Sequence, residues 1–316
     1  LQNTKHSLQQ KNKLKTTENP EYKRFLDLSV ISKISNLELR ARLIVEGFLL
    51  GLHKSPYHGF SIEFSQHRPY MQGDSPKDID WKVYGKSDRF YVKQYEEETN
   101  LKSYILLDVS KSMTFSGGGR ISKLEYASQL AASLSYLMLK QKDSVSLSIY
   151  ADKILKYLPP NSSRIYLKEI ISALSQIIPA ANTNTSFSLN QISDKITKRG
   201  LVIIISDFFD DPYKVASAIK KFRFYKNEVI VFQVVDTVEL NFSFEKDAIF
   251  HDLETGEEIT TQPYQIQKAY GDAMHSFLKK LKDECLRNGV EYNLIDSSTP
   301  FDKALFAYLQ KRSRLL

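Results

Sequence analysis

LKSYILLDVSKSM, residues 101–113, is an apolar run that stops at an acid and two spaced hydroxyls. Tyr104, Ile105, Leu106 and Leu107 read as a strand buried on both faces. Asp108, Ser110 and Ser112 follow at alternate positions, so one carboxylate and two hydroxyls can face a single point just past the strand. All are hard oxygen donors, with no thiolate or imidazole among them. Such a set suits Mg²⁺, Mn²⁺ or Ca²⁺ better than zinc. The same triplet also fits an Asx or Ser turn that caps the next segment. The rest of the chain has to separate the two readings.

Downstream, strands alternate with helices. Residues 124–140 carry Leu124, Ala127, Leu130, Ala131, Leu134, Leu137 and Met138 at helical spacing. Val145, Leu147 and Ile149 alternate as a strand, with 154–158 as its hairpin partner, and 165–178 reads as a helix. In AANTNTSFSLNQI, residues 181–193, small polar residues open another helix through Leu189 and Ile192, a usual place for caps. Residues 201–205 are purely apolar and end at Ser206-Asp207; 229–235 is a second such run, ending at Asp236. Helical patterns at 215–224, 264–286 and 301–315, and a strand at 290–295, complete the series. A hairpin interrupts it near 247–261.

This alternation predicts a doubly wound α/β fold with a mainly parallel sheet. Ligands bind such sheets outside the carboxyl ends of the strands. Asp108 and Asp207 both stand at such ends, which is the physical reason to connect them.

The 316 residues suffice for one large or two modest domains, and 42% hydrophobic with 26% charged content is ordinary for a globular chain. No apolar run approaches the roughly 20 residues of a membrane span. The start, LQNTKHSLQQKNKLK, lacks the apolar centre of a secretory signal. Cys285 is the single cysteine, so neither an intrachain disulfide nor a cysteine-based zinc site is expected; it reads as a small packing residue in a helix. A cytoplasmic location fits. The net charge of +7 admits nucleic acid or an acidic surface as partner. No basic stripe interleaved with aromatics and no nucleic-acid motif is found, so a solvated basic surface is the reading and no nucleic-acid partner is expected.

Residues 1–21 read as a disordered arm. Residues 22–99 read as an N-terminal helical and short-strand segment, and 100–316 as the α/β domain. Within the segment, two helices break near Ser35-Asn36. Phe60, Ile62 and Phe64 form a short strand, and Trp81, Val83, Tyr84 and Phe90, Val92, Tyr95 form two more. His67, Arg68, Asp74, Asp78, Asp80, Arg89 and Glu96–Glu98 crowd opposite charges together, which suggests a lattice tying this segment to the domain. If Trp81 is buried, it anchors that packing. No nucleophile is framed by a base, and His53, His58 and His67 lack zinc-protease spacing. The glycines of TFSGGGRIS, residues 114–122, are followed by Arg120 and do not make a P-loop.

Three separated pieces line up: Asp108-x-Ser110-x-Ser112, Thr183 and Asp207. Together they resemble the metal-ion-dependent adhesion site of von Willebrand factor A domains. In that family the triplet follows the first strand, a threonine comes from a helix-start loop, and an aspartate follows a later central strand. Thr183 takes the threonine's place, with Thr185 as the alternative. The family often has Gly after the last aspartate; here it is Phe208. The upstream run HRPYMQGDSPKDIDWKVYGKSDRFYVKQYEEETN, residues 67–100, leading directly into such a domain, resembles the bacterial domain-of-unknown-function family fifty-eight. The resemblance implies a Mg²⁺-type site of Asp108, Ser110, Ser112, Thr183 and Asp207, with one position open to a partner's Asp or Glu. It implies an adaptor role beside a MoxR-type AAA+ ATPase and no established reaction. A metal-dependent hydrolase and a charge-driven nucleic-acid binder are the alternatives.

Overall fold

The computed structural model describes residues 34–53, 67–71, 76, 79, 81–93, 101–117, 121–180, 184–243, 248–251, 258–261 and 263–315. The strands are β1 (His67–Pro69), β2 (Tyr91–Lys93), β3 (Lys102–Asp108), β4 (Ser144–Tyr150), β5 (Ile154–Asn161), β6 (Leu201–Ser206), β7 (Glu228–Val235), β8 (Ala248–His251), β9 (Glu258–Thr261) and β10 (Glu291–Asp296). The helices are α1 (Leu37–His53), α2 (Trp81–Ser87), α3 (Lys123–Lys140), α4 (Tyr166–Ser175), α5 (Thr185–Lys195), α6 (Pro212–Phe224), α7 (Thr237–Asn241), α8 (Pro263–Arg287) and α9 (Asp302–Ser313).

Six strands form one sheet in the order β10-β7-β6-β3-β4-β5. All neighbours are parallel except β4 and β5, which form the antiparallel hairpin expected from the sequence. The chain leaves β3 toward β4 and β5, then crosses back to build β6, β7 and β10 on the other side. The order therefore reverses between β3 and β6, the place where a doubly wound sheet opens its ligand crevice.

Both faces of the sheet are covered. Ile105, Leu107, Ile203, Ile205, Ile230 and Phe232 point into one core with α1, α3, α4 and α9. Tyr104, Leu106, Val202, Ile204, Val229 and Val231 point into the other with α5, α6 and α8. Burial on both faces explains why these strands read as continuous apolar runs. Cys285 is 1% exposed within the second core, a packing residue as its helical setting suggests.

The N-terminal helix α1 docks on α3. Ala41, Ile44, Val45 and Phe48 enter the first core. Around them Arg40 pairs with Glu125 at 2.8 Å, and Glu46 accepts hydrogen bonds from Lys140 Nζ at 2.9 Å and the Tyr136 hydroxyl at 2.8 Å.

Three expectations change. Residues 81–87 form a helix where the sequence reading has a strand, and Trp81 is 59% exposed, so its ring anchors no core. It packs edge-on against Tyr84, which stacks on Phe90 at 4.5 Å; the aromatics there serve one another. The expected strand near Phe90 is real but short, Tyr91–Lys93, pairing antiparallel with His67–Pro69. The expected absence of a basic stripe interleaved with aromatics also fails. At the end of α6, Phe224 and Tyr225 stand 80% and 41% exposed between Arg223 and Lys226. The buried Phe222 in the same run makes it read as an ordinary amphipathic helix end. The strand expected at 60–64, the helix before 34, the arm at 1–21, the turn of the 247–261 hairpin, most of the charge lattice at 74–98, and Gly118 to Arg120 lie outside the described residues. β8 and β9 pair antiparallel as expected.

Candidate functional site

The register of the central strands builds the site. Leu107 lies opposite Ile205, which sets Asp108 level with Ser206. Asp108 pairs with Tyr150 on its other side, and Ser206 with Gln233. A polar row, Tyr150, Asp108, Ser206 and Gln233, thus crosses the carboxyl edge of four strands otherwise filled with aliphatic side chains.

Asp108 is fully buried and organises this row. Its Oδ1 accepts the Ser110 backbone N–H at 2.9 Å, and its Oδ2 accepts the Ser206 hydroxyl at 2.6 Å and the Thr185 hydroxyl at 3.4 Å. Burial and then the charge of Asp207 push its carboxyl up to about 6, against the pull of the Ser206 and Ser110 donors.

The triplet is therefore an Asx turn, yet its hydroxyls do not cap. Ser110 precedes a single 3-10 turn, Lys111–Thr114, and makes no side-chain cap bond to it. The Ser110 and Ser112 hydroxyls instead face each other at 3.1 Å. Met113 is buried and pins the turn from below. Ser110 also forms a parallel bridge with Ala180, whose N–H donates to the Val109 carbonyl at 3.0 Å. That bridge brings the chain leading to α5 alongside the triplet. Asn184 caps α5, accepting the Phe187 N–H at 3.1 Å, and leaves Thr185 buried and turned toward Asp108. Thr183 lies outside the described residues.

Asp207 follows β6 and is 1% exposed. Its carboxylate is held by Lys123, whose ammonium lies 2.9 Å from Oδ2, and its Oδ1 accepts the Phe209 N–H at 3.3 Å. Its carbonyl accepts the Gln233 amide at 2.8 Å, and Gln233 in turn accepts the Tyr292 hydroxyl at 2.6 Å. Lys123 also reaches Glu239 at 2.8 Å and lies 4.6 Å from the Phe209 ring centre. Burial alone would pull this ammonium down, but Asp207 and Glu239 outweigh it and raise it, so Lys123 stays charged. Burial raises Glu239, partly offset by Lys123.

The loops around these groups are stapled. Asp236 caps α7 through the Val238 N–H at 2.8 Å and accepts the Gly117 N–H at 3.0 Å. A Cβ on Gly117 would stand 2.4 Å from Val238, so only glycine brings that loop so close. Phe208 adopts a left-handed backbone, φ 58°, while its ring is wholly buried and its N–H donates to Ser206 Oγ at 2.8 Å. Glycine adopts that conformation without strain, and here a buried phenylalanine takes it instead.

Asp108, Ser110, Ser112 and Asp207 thus gather at one edge, with Thr185 touching Asp108. Lys123, Ser206, Glu239 and Gln233 are parts the sequence reading misses. Lys123 left one signal. It is the first residue of α3, where the helix dipole disfavours a cation, right after Ser122, which caps the Glu125 N–H at 3.1 Å. A lysine in that place calls for acidic neighbours.

The residues fit a divalent ion. About 2.1 Å from an octahedral centre, adjacent oxygens sit roughly 2.9–3.0 Å apart. The two serine hydroxyls, at 3.1 Å, are spaced like such neighbours. The donors are all oxygen. Asp108 and Asp207 supply two negative charges, and Lys123 offsets one of them.

A family model described as a protein of unknown function, DUF58, matches residues 66–276. The uncharacterized proteins Rv1480 of Mycobacterium tuberculosis and Mb1516 of Mycobacterium bovis are each 22% identical over 238 residues, 73% of this chain and 73% of theirs. Among solved structures, an aerotolerance-related membrane protein from Bacteroides fragilis is 19% identical with a TM-score of 0.47, covering 67% of this chain and 99% of that one. BatB from Bacteroides thetaiotaomicron is 20% identical with a TM-score of 0.46, covering 68% and 98%. Among the described residues no helix is long and apolar enough to cross a membrane. With two thirds of its length matched by the family model and a sheet wound in this order, the chain belongs to the DUF58 family and has a von Willebrand factor A-like fold.

Proposed function

We propose that this chain is a metal-dependent protein-interaction module. Asp108, Ser110, Ser112, Asp207 and a threonine, Thr183 or Thr185, would hold Mg²⁺ or Mn²⁺ at the carboxyl edge of the sheet. The observation that carries this reading is the pair of Ser110 and Ser112 hydroxyls. They stand 3.1 Å apart and cap nothing, beside a buried carboxylate. Of the two threonines, Thr185 is supported by its contact with Asp108. When bound, the ion supplies a positive centre for a carboxylate from a partner protein. The chain's own residues fix the oxygens and keep Asp207 in place through Lys123. The partner we propose is a MoxR-type AAA+ ATPase, supported by the family resemblance.

Calorimetric titration with Mg²⁺ and Mn²⁺ tests the site. Wild type should bind, and Asp108→Ala, which removes a ligand and a charge, should lose binding at least tenfold while keeping its fold. Equal titrations for both proteins would reduce the triplet to a turn. For the partner, co-purification with a MoxR-type ATPase of the same cell should require the metal and vanish with EDTA. Its failure in the presence of metal would remove that partner and leave the site standing.

A further inference from the structure

The opposite edge of the sheet carries the reverse charge. The turn before β6 holds Lys198 and Arg199, and the turn before β7 holds Tyr225 and Lys226. Two bonds join these turns. The Gly200 N–H donates to the Asn227 side chain at 2.9 Å, and the Glu228 N–H to the Gly200 carbonyl at 3.0 Å. Lys102, at the start of β3, adjoins the same place, since a Cβ on Gly200 would lie 2.1 Å from its carbonyl oxygen. Its ammonium is held below its ordinary value by desolvation and then by the neighbouring Lys198.

Two acids at this edge are already engaged, while Glu291 at the start of β10 has no ion pair among the described residues. Glu228 takes Arg223 at 2.6 Å and Lys311 at 2.9 Å, and Asp143 takes Arg312 at 2.8 Å. Lys198, Arg199 and Lys226 are exposed and have no carboxylate partner among the described residues. In their midst Phe224 is 80% exposed and Tyr225 41%, their rings 5.6 Å apart and edge to face. An aromatic side chain left in water at a helix end forgoes a large burial gain. Aromatic rings set among cations are what a water–lipid interface accommodates, with the rings at headgroup depth and the cations on the phosphates.

We propose that this pole is a membrane-contact surface: Phe224 and Tyr225 enter the headgroup layer of an anionic bilayer while Lys198, Arg199 and Lys226 engage its phosphates. A nucleic acid is the weaker match for the same charge. Stacking of successive bases needs open ring faces along a track, whereas these two rings pack on each other at one helix tip. In this orientation the Asp108 edge faces away from the bilayer, free for a protein partner.

Flotation of the full chain with vesicles tests the assignment, using pure phosphatidylcholine against three parts phosphatidylcholine to one of phosphatidylglycerol. Binding is expected on the mixed vesicles only, and it should weaken with salt. Each of Lys198→Gln, Arg199→Gln and Lys226→Gln should lower the partition about fivefold. Phe224→Ser should lower it about tenfold or more, and being a change at an exposed site it should leave the melting temperature unchanged. A Phe224→Trp probe in a Trp81→Phe background should shift its emission to the blue on mixed vesicles. No flotation would overturn the proposal, as would flotation indifferent to Phe224→Ser with no blue shift. So would an oligonucleotide that binds this pole more tightly than the vesicles and displaces them.

Discussion

Replacing Lys123 by methionine tests the centre of the site with the least change in volume. Lys123 is fully buried and holds two carboxylates, Asp207 at 2.9 Å and Glu239 at 2.8 Å. Their side chains are 1% and 14% exposed, so water can replace little of what the ammonium supplied. Removing one partner of a buried ion pair costs about 3–5 kcal/mol, mostly from the charge left behind. Here two acids are left, and one of them, Asp207, already acts on Asp108. The loss should fall in the upper part of that range, a large share of the roughly 5–15 kcal/mol that stabilises a domain. Urea unfolding at neutral pH measures it. The companion variant Lys123→Met/Asp207→Asn/Glu239→Gln removes the stranded charges and should recover most of the loss. Mg²⁺ should also narrow the deficit of the single variant, since an ion beside Asp207 replaces the missing positive charge. A loss below about 1 kcal/mol would refute the reasoning, because a surface ion pair costs no more. A triple variant as unstable as the single one would refute it too, since lost packing would then be the cause.

Trp81→Ala should change stability by no more than about 0.5 kcal/mol in thermal unfolding, as the ring is 59% exposed. Gly200→Ala should lower the unfolding free energy measured by urea titration by about 1–3 kcal/mol, because its Cβ would meet the Lys102 carbonyl oxygen at 2.1 Å and backbone must move. Glu46 sets a pH dependence: burial pushes its carboxyl up, but the hydrogen bonds from Lys140 and Tyr136 win and hold it below the ordinary 4.5. A lowered carboxyl stabilises the fold above its unfolded pKa, and that contribution is lost as pH falls through the folded value. Glu46→Gln should therefore destabilise by a few tenths to about 1 kcal/mol at neutral pH, discounted for its partial exposure, and match wild type in acid.

The strands and the two acids at their ends were legible for one reason. A parallel sheet covered on both faces writes its strands as unbroken apolar runs, and a carboxylate that ends such a run stands out. The same property hides the register. When Ile203, Ile204 and Ile205 are all buried, alternation cannot say which residue of β6 lies level with Asp108. Ser206 therefore reads as the end of a strand and not as the donor 2.6 Å from Asp108. Lys123 is hidden differently: it opens a strong amphipathic pattern and passes for an exposed first-turn residue. Trp81 was misread because Trp-x-Val-Tyr in a short run satisfies a strand period by chance, and the helix it forms leaves the ring in water.

The two carboxylates of the site are answered differently within the fold. Asp207 is answered within the fold by Lys123, which it shares with Glu239. Among the described residues Asp108 has neutral donors only: the Ser110 N–H and the hydroxyls of Ser206, Thr185 and Ser110. Hydrogen bonds to a buried carboxylate stabilise it but leave its charge in place. Burial and Asp207 accordingly lift Asp108 to about 6, a carboxyl that is still mostly ionised at neutral pH yet short of positive charge. The Ser110 and Ser112 hydroxyls lie within two and four residues of it, on the same strand-end turn. On the reading proposed above, the cation would lie toward the triplet side of the crevice, since Asp207 is already paired with Lys123.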